Sequence, residues 1–146
     1  MADFAEKQFN AVAEALPEIL AWVEEQTMSM LPLELALKIQ LVAEEAVVNV
    51  VSYAYAEAAP DKEKTLTLRL GKNDNTFFMD VTDSGKPFNP LENNNSDAKQ
   101  EFEEREPGGW GIAFLVEMTD KISYEYVNGQ NRLHIEKNLS DGGADK

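Results

Sequence analysis

Between Leu33 and Tyr55 the chain carries no Gly or Pro, and its polar residues fall into a helical rhythm. At about 100° per residue, Glu34, Lys38, Glu45, Asn49 and Ser52 share a stripe roughly 60° wide, while Leu37, Ile39, Val42, Ala43, Ala46, Val47, Val50 and Val51 cover most of the rest. This pattern predicts a long helix from about Pro32 to Ala58, ended by the Pro-Asp pair of AAPDKEK. A helix apolar around most of its circumference is buried on several sides, so its narrow polar strip either faces solvent or lines a cleft.

Alternation with period two takes over next. TLTLRL, the turn KNDN and TFFMDVTD make a hairpin over residues 65 to 83. ISYEYV, the Asn-Gly turn NGQ and NRLHIEK make a second, closing hairpin. Upstream, a short strand near Lys7 to Ala11 and a helix from about Pro17 to Gln26 open the fold, with Pro in the first helical turn. SGKPFNPLENNNSDAKQEFEEREPGG has little apolar periodicity, and a loop that long in a compact domain is a lid, a binding loop or disorder. WGIAFLVEMTD returns to helical spacing, and the tail from 139 to 146 reads as frayed. The expected architecture is a single α+β domain over residues 1–146, a two-layer α/β sandwich with helices on one face of a mostly antiparallel sheet.

At 146 residues with 43% hydrophobic content, one domain can bury its own core. The absence of cysteine removes disulfides, thiolate nucleophiles and Cys-ligated zinc, and with no targeting pattern in MADFAEKQ a cytoplasmic location is expected. No stretch approaches a membrane span. A formal charge of −14 disfavours direct nucleic-acid binding, which needs Lys and Arg on phosphates. The same acidity suits a basic protein surface, or a nucleotide met through a divalent metal. The single histidine, His134, reads as a strand side chain facing solvent.

Three stretches carry candidate chemistry. Asn49 sits one turn after Glu45 on the polar strip. In VTDSGKPF a strand ends on Asp83, with Gly85 two residues on; this is either a plain turn or a carboxylate acceptor for a planar ligand's amino group, with Gly85 allowing close approach. In PGGWGIAFLVE, Gly108, Gly109 and Gly111 lead into a helix; they are either a hinge or cap, or a cradle whose N–H groups hold an anion at the helix N-terminus.

In this order, Glu-x-x-x-Asn, Asp-x-Gly, a long lid and Gly-Gly-x-Gly resemble the ATP site of the gyrase, heat-shock chaperone, histidine kinase and mismatch-repair superfamily, the Bergerat nucleotide fold. Within it, EEAVVNVVSYAY, VTDSGKPFNP, GGWGIAFLVEMTDKISYEY and NGQNRLHIEK look most like the small bacterial serine/threonine kinases that double as anti-sigma factors in partner-switching modules. The resemblance spans about residues 7 to 138, with the lid at about 89–107.

The resemblance implies ATP and Mg²⁺ as cofactors. Asn49 would be a ligand of the Mg²⁺ that bridges the phosphates, and Glu45 would be the general base toward a substrate serine. Asp83 would contact the adenine amino group beside Gly85, Gly108, Gly109 and Gly111 would hold phosphates, and Arg105 would screen their charge from the lid. The implied partners are a sigma factor or equivalent target and a small antagonist protein as substrate; homodimerisation stays open. One departure stands out. Where these kinases commonly have His four residues after the metal Asn, this chain has Tyr53, which lacks a ring nitrogen, so a nucleotide-gated binding module without kinase activity remains the alternative.

Overall fold

The structure is a computed structural model that describes residues 3–55, 63–89 and 119–139. Strand β1 (Asp3–Asn10) is followed by a 3₁₀ turn (Ala13–Ala15) and helix α1 (Leu16–Met30). Helix α2 (Leu33–Asn49) continues into a π-helical turn (Val50–Ala54). The hairpin β2 (Thr65–Asn73) and β3 (Thr76–Asp83) comes next, and β4 (Lys121–Val127) with β5 (Gln130–Asn138) closes the chain. The five strands form one antiparallel sheet in the order β1-β2-β3-β5-β4. The α+β sandwich expected from the sequence is the fold found.

The first expected strand and helix were placed correctly and drawn too short. β1 starts at Asp3 because the whole segment pairs with β2, from Asp3 opposite Lys72 to Asn10 opposite Thr65. α1 runs four residues past Gln26 and stops where Leu31 turns extended, as the residue before a proline must. The helical reading to Ala58 holds through Ala54, although its last turn is π rather than α; residues 56–62 lie outside the described residues, as does the expected helix in WGIAFLVEM. Both hairpin turns fall where the Asn and Asp residues predicted them, with Asp74 at φ 60°, Asn128 at φ 56° and Gly129 at φ 76°.

Alternation fixes the core. Leu66, Leu68 and Leu70 of β2, Phe77, Met79 and Val81 of β3, and Leu133 and Ile135 of β5 point to one face, where they meet Ile19 and Val23 of α1 and Ile39, Val42 and Val47 of α2. A one-residue slip would turn every one of these side chains to solvent, so the register that places Asp83 opposite Asn131 is set by the same burial. The two helices are also tied by a polar pair. Buried Thr27 donates to the Val23 carbonyl at 2.8 Å and accepts from Gln40 Nε2 at 3.0 Å.

Candidate nucleotide site

The last turns of α2 cross over the inward end of β3. There Ala46, Asn49, Val50 and Ala54 face Val81, Asp83, Phe88, Tyr124, Asn131 and Leu133 across a narrow cleft of about 20 Å³, room for about one water. Of the helical strip only Asn49 lines this cleft: Glu34, Lys38 and Ser52 are exposed, Asn49 is half-buried, and Glu45, one turn earlier, is 2% exposed. Glu44 lies on a different side, in a groove between the helices. Two of the predicted residues, Asn49 and Asp83, thus meet in one place, with Glu45 one turn before Asn49.

Asp83 is the most constrained of them. It is 5% exposed, and both of its hydrogen bonds fall on Oδ1, from Gly85 N–H at 2.8 Å and from Asn131 Nδ2 at 2.9 Å. Among the described residues Oδ2 accepts none. Burial pushes the Asp83 carboxyl above its ordinary value, and the bonds from Asn131 and Gly85 only partly oppose that. A desolvated carboxylate with one oxygen committed and the other uncommitted is a suitable acceptor for a ligand's N–H donor.

Gly85 has a nearer reason to be glycine than any ligand. A Cβ there would stand 2.4 Å from the Ala54 carbonyl oxygen, and the next residue's N–H, that of Lys86, donates to that same carbonyl at 3.0 Å. The loop after β3 is thus sewn to the π turn. Tyr55 adds a second stitch: its buried hydroxyl donates to the Thr65 carbonyl at 2.7 Å and accepts from Ser84 N–H at 2.9 Å. The π turn displaces the helix end so that Tyr55 points inward while Tyr53, 51% exposed, stacks on Phe88 with ring centroids 5.1 Å apart. Phe88 is itself a wall of the cleft.

Sequence reasoning missed Asn131. It is 4% exposed, donates to Asp83 Oδ1 and to the Lys86 carbonyl at 2.8 Å, and accepts on Oδ1 from Phe88 N–H at 2.9 Å and from the Tyr124 hydroxyl. The signal was available: Asn131 is the polar residue at an inward position of an alternating strand, directly opposite Asp83 once the closing hairpin is laid against β3. Gly108, Gly109, Gly111, Arg105 and the rest of the lid lie outside the described residues. His134 is on the open face of the sheet as expected. It is not simply solvated, because Nδ1 lies 2.5 Å from Asp80 Oδ1 and Nε2 lies 2.8 Å from Glu136 Oε2.

The family model of the histidine kinase-like ATPase domain matches residues 9–137, nearly the whole chain. The chain belongs to this family. Membership of an ATPase-domain family carries with it the binding of ATP. The chain is also 22% identical over 129 residues to the serine/threonine-protein kinase BtrW of Bordetella bronchiseptica, an alignment covering 88% of this chain and 89% of that protein. Among the described residues no helix is long and apolar enough to cross a membrane.

Proposed function

We propose that this chain is an ATP- and Mg²⁺-dependent serine/threonine protein kinase that acts as an anti-sigma factor or an equivalent partner-switching regulator and phosphorylates a small antagonist protein. The observation that carries this is the placement of a buried glutamate, Glu45, one helical turn from Asn49, which shares a cleft with the buried carboxylate of Asp83. The likeness to a protein named a serine/threonine-protein kinase supports it.

Asp83 accepts the adenine amino group on the oxygen that Asn131 and Gly85 leave uncommitted. Asn49 offers an amide oxygen to Mg²⁺, a hard cation that takes one or two protein oxygens and completes its shell with phosphate and water. The metal's contribution is to neutralise charge on the phosphates. Gly108, Gly109 and Gly111 hold the phosphate chain with backbone N–H groups, and Arg105 screens its charge. Glu45 takes the proton of the incoming serine hydroxyl as its oxygen bonds to the γ-phosphorus and ADP departs. Because the cleft is water-sized, a purine enters only as its walls part; Phe88, one of those walls, stacks on exposed Tyr53.

One observation favours a second function, a nucleotide-gated binding module: Tyr53 stands where the related kinases commonly have histidine, and its ring is engaged with Phe88. Labelled ATP, Mg²⁺ and the antagonist-like proteins encoded nearby separate the two. For the kinase, Glu45→Ala slows phosphoryl transfer about 10²-fold or more with ATP affinity nearly intact, and Asn49→Ala weakens Mg²⁺-dependent ATP binding itself. Absence of any transfer by the parent chain, with ATP still bound, would leave the gated module. A Glu45→Ala chain that transfers at the parent rate removes Glu45 as the base.

A further inference from the structure

On the side of α2 away from the nucleotide cleft, the helix pair exposes an apolar seam. Leu33, Leu37 and Leu41 recur at four-residue spacing and are 59%, 49% and 48% exposed; Met28 of α1 is 47% exposed. Four of the seven large hydrophobic residues left exposed among the described residues are these. Leu37 and Leu41, with Pro17, Leu20 and Ala21 of α1, line a groove of about 580 Å³ between the helices. Single exposed leucines are ordinary; a row of them along a groove marks a contact surface. The floor is fixed beforehand, because Gln40 lies in the groove and its amide is held by Thr27 of the opposite helix.

Charge identifies the occupant. The two ionisable residues that line the groove, Glu24 and Glu44, are both acidic, and Glu34 lies exposed on the flank of the same helix with Lys38 the nearby cation. A second copy of this chain would set glutamate rims against each other on molecules of formal charge −14, and an anionic lipid surface would meet the same repulsion. We propose that the α1–α2 groove receives an amphipathic helix of a partner protein, whose leucine-like stripe covers Leu37 and Leu41 and whose flanking Lys or Arg residues pair with Glu24 and Glu44. From Leu33 to Leu41 the row is about 12 Å long at 1.5 Å per residue, which accommodates two to three turns of the incoming helix. The groove does not include Glu45, Asn49 or Asp83, so this contact stands independently of the phosphoryl-transfer chemistry.

The test uses the full chain and two synthetic 18-residue helical peptides with the same leucine stripe, one with lysine and one with glutamate at all polar positions. Fluorescence anisotropy is expected to show the lysine peptide binding at least about tenfold more tightly than the glutamate peptide. Leu37→Gln combined with Leu41→Gln is expected to weaken it a further tenfold, and Glu24→Gln combined with Glu44→Gln severalfold. Phe4→Gln, which removes an exposed hydrophobe on the sheet, is expected to change nothing. All these positions are at least partly exposed, and circular dichroism checks that the variants stay folded. Unchanged lysine-peptide affinity in the leucine variant overturns the proposal, as does an equal loss in Phe4→Gln. A concentration-dependent dimer that the leucine substitutions dissociate overturns it in favour of self-association.

Discussion

Replacing Asn131 by leucine keeps the branched heavy-atom shape and removes four hydrogen bonds at once, so it measures how much the polar cluster behind the cleft contributes. Two of the four losses can be repaired. Asp83 Oδ1 keeps its bond from Gly85 N–H, and the carbonyl of exposed Lys86 can turn to water. The Phe88 N–H has no such recourse while the cleft stays closed, and the Tyr124 hydroxyl loses its bond to Asn131 Oδ1. At about 1–3 kcal/mol for the buried N–H left unpaired and about 1 kcal/mol for the hydrogen bond lost at Tyr124, the expected loss is about 2–4 kcal/mol. For a chain of 146 residues that corresponds to a melting point lower by about 10 °C. Urea unfolding followed by tryptophan fluorescence reads it, since Trp22 packs edge-on against core Phe9 at 5.7 Å and reports on the fold rather than on the cleft. Asn131→Asp is expected to do more damage at pH 7, because it sets a second carboxylate against Asp83, and to recover on acidification. A loss below about 1 kcal/mol for the leucine variant would show that the cluster is hydrated already, and would remove Asn131 as the residue that orients Asp83.

Gly85→Ala drives a methyl group into the Ala54 backbone and is expected to destabilise the fold by about 2–4 kcal/mol, measured by the same urea titration; a loss within about 0.5 kcal/mol would mean the loop after β3 moves freely from the helix end. Burial alone would lower the His134 pKa, but the hydrogen bonds its ring donates to Glu136 and Asp80, with their charges, outweigh it and hold the imidazole above 6.5. Its stabilisation is therefore full below pH 6.5 and is lost as pH rises through the folded value, so parent stability should fall from pH 6 to pH 9 more than that of His134→Gln; parallel profiles would refute the raised value. Asp83 has the opposite chemistry and the same sign: its carboxyl is raised above 3.8 by burial, so ionisation weakens the fold as pH rises through the folded value. Asp83→Asn should accordingly hold or raise the melting point at pH 7 while weakening ATP binding at least about tenfold by calorimetry; a lower melting point or unchanged affinity would count against it.

Element types were legible wherever burial imposes a period. The three leucines of TLTLRL and the Asn-Gly turn of the closing hairpin left little choice. The ends were not, because they depend on partners distant in sequence: β1 reaches Asp3 only because β2 continues to Asn73. The π turn was invisible for the same reason, since it serves to bring Ala54 against Gly85 and Tyr55 against Ser84. At the site, Asn49 stood out as an amide among valines and Asp83 as the acid that ends a strand before Gly85, while Glu45 was singled out through the family resemblance. Asn131 could not be, until strand pairing put it beside Asp83. Gly85 was expected to open space for a ligand, and its nearest constraint is instead the backbone of the helix end.

That constraint bears on how a nucleotide site of this kind is built. A buried carboxylate whose ionised form is penalised is a poor choice for stability alone; an asparagine would keep both Oδ1 bonds without the desolvation cost. Yet Asp83 is held by four separate elements. β3 sets its register, β5 supplies Asn131, the following loop supplies Gly85 N–H, and the π turn fixes that loop through Ala54 and Tyr55. Scaffolding of this density around a group that weakens the fold is expected where the group's charge is needed by something that binds it. The loop that carries Gly85 and Phe88 is fastened to the same helix end that carries Asn49, through the Ala54 carbonyl and the Tyr55 hydroxyl. If Asp83 takes the base and Asn49 the metal, as proposed, the two contacts are joined through the backbone of this one helix end.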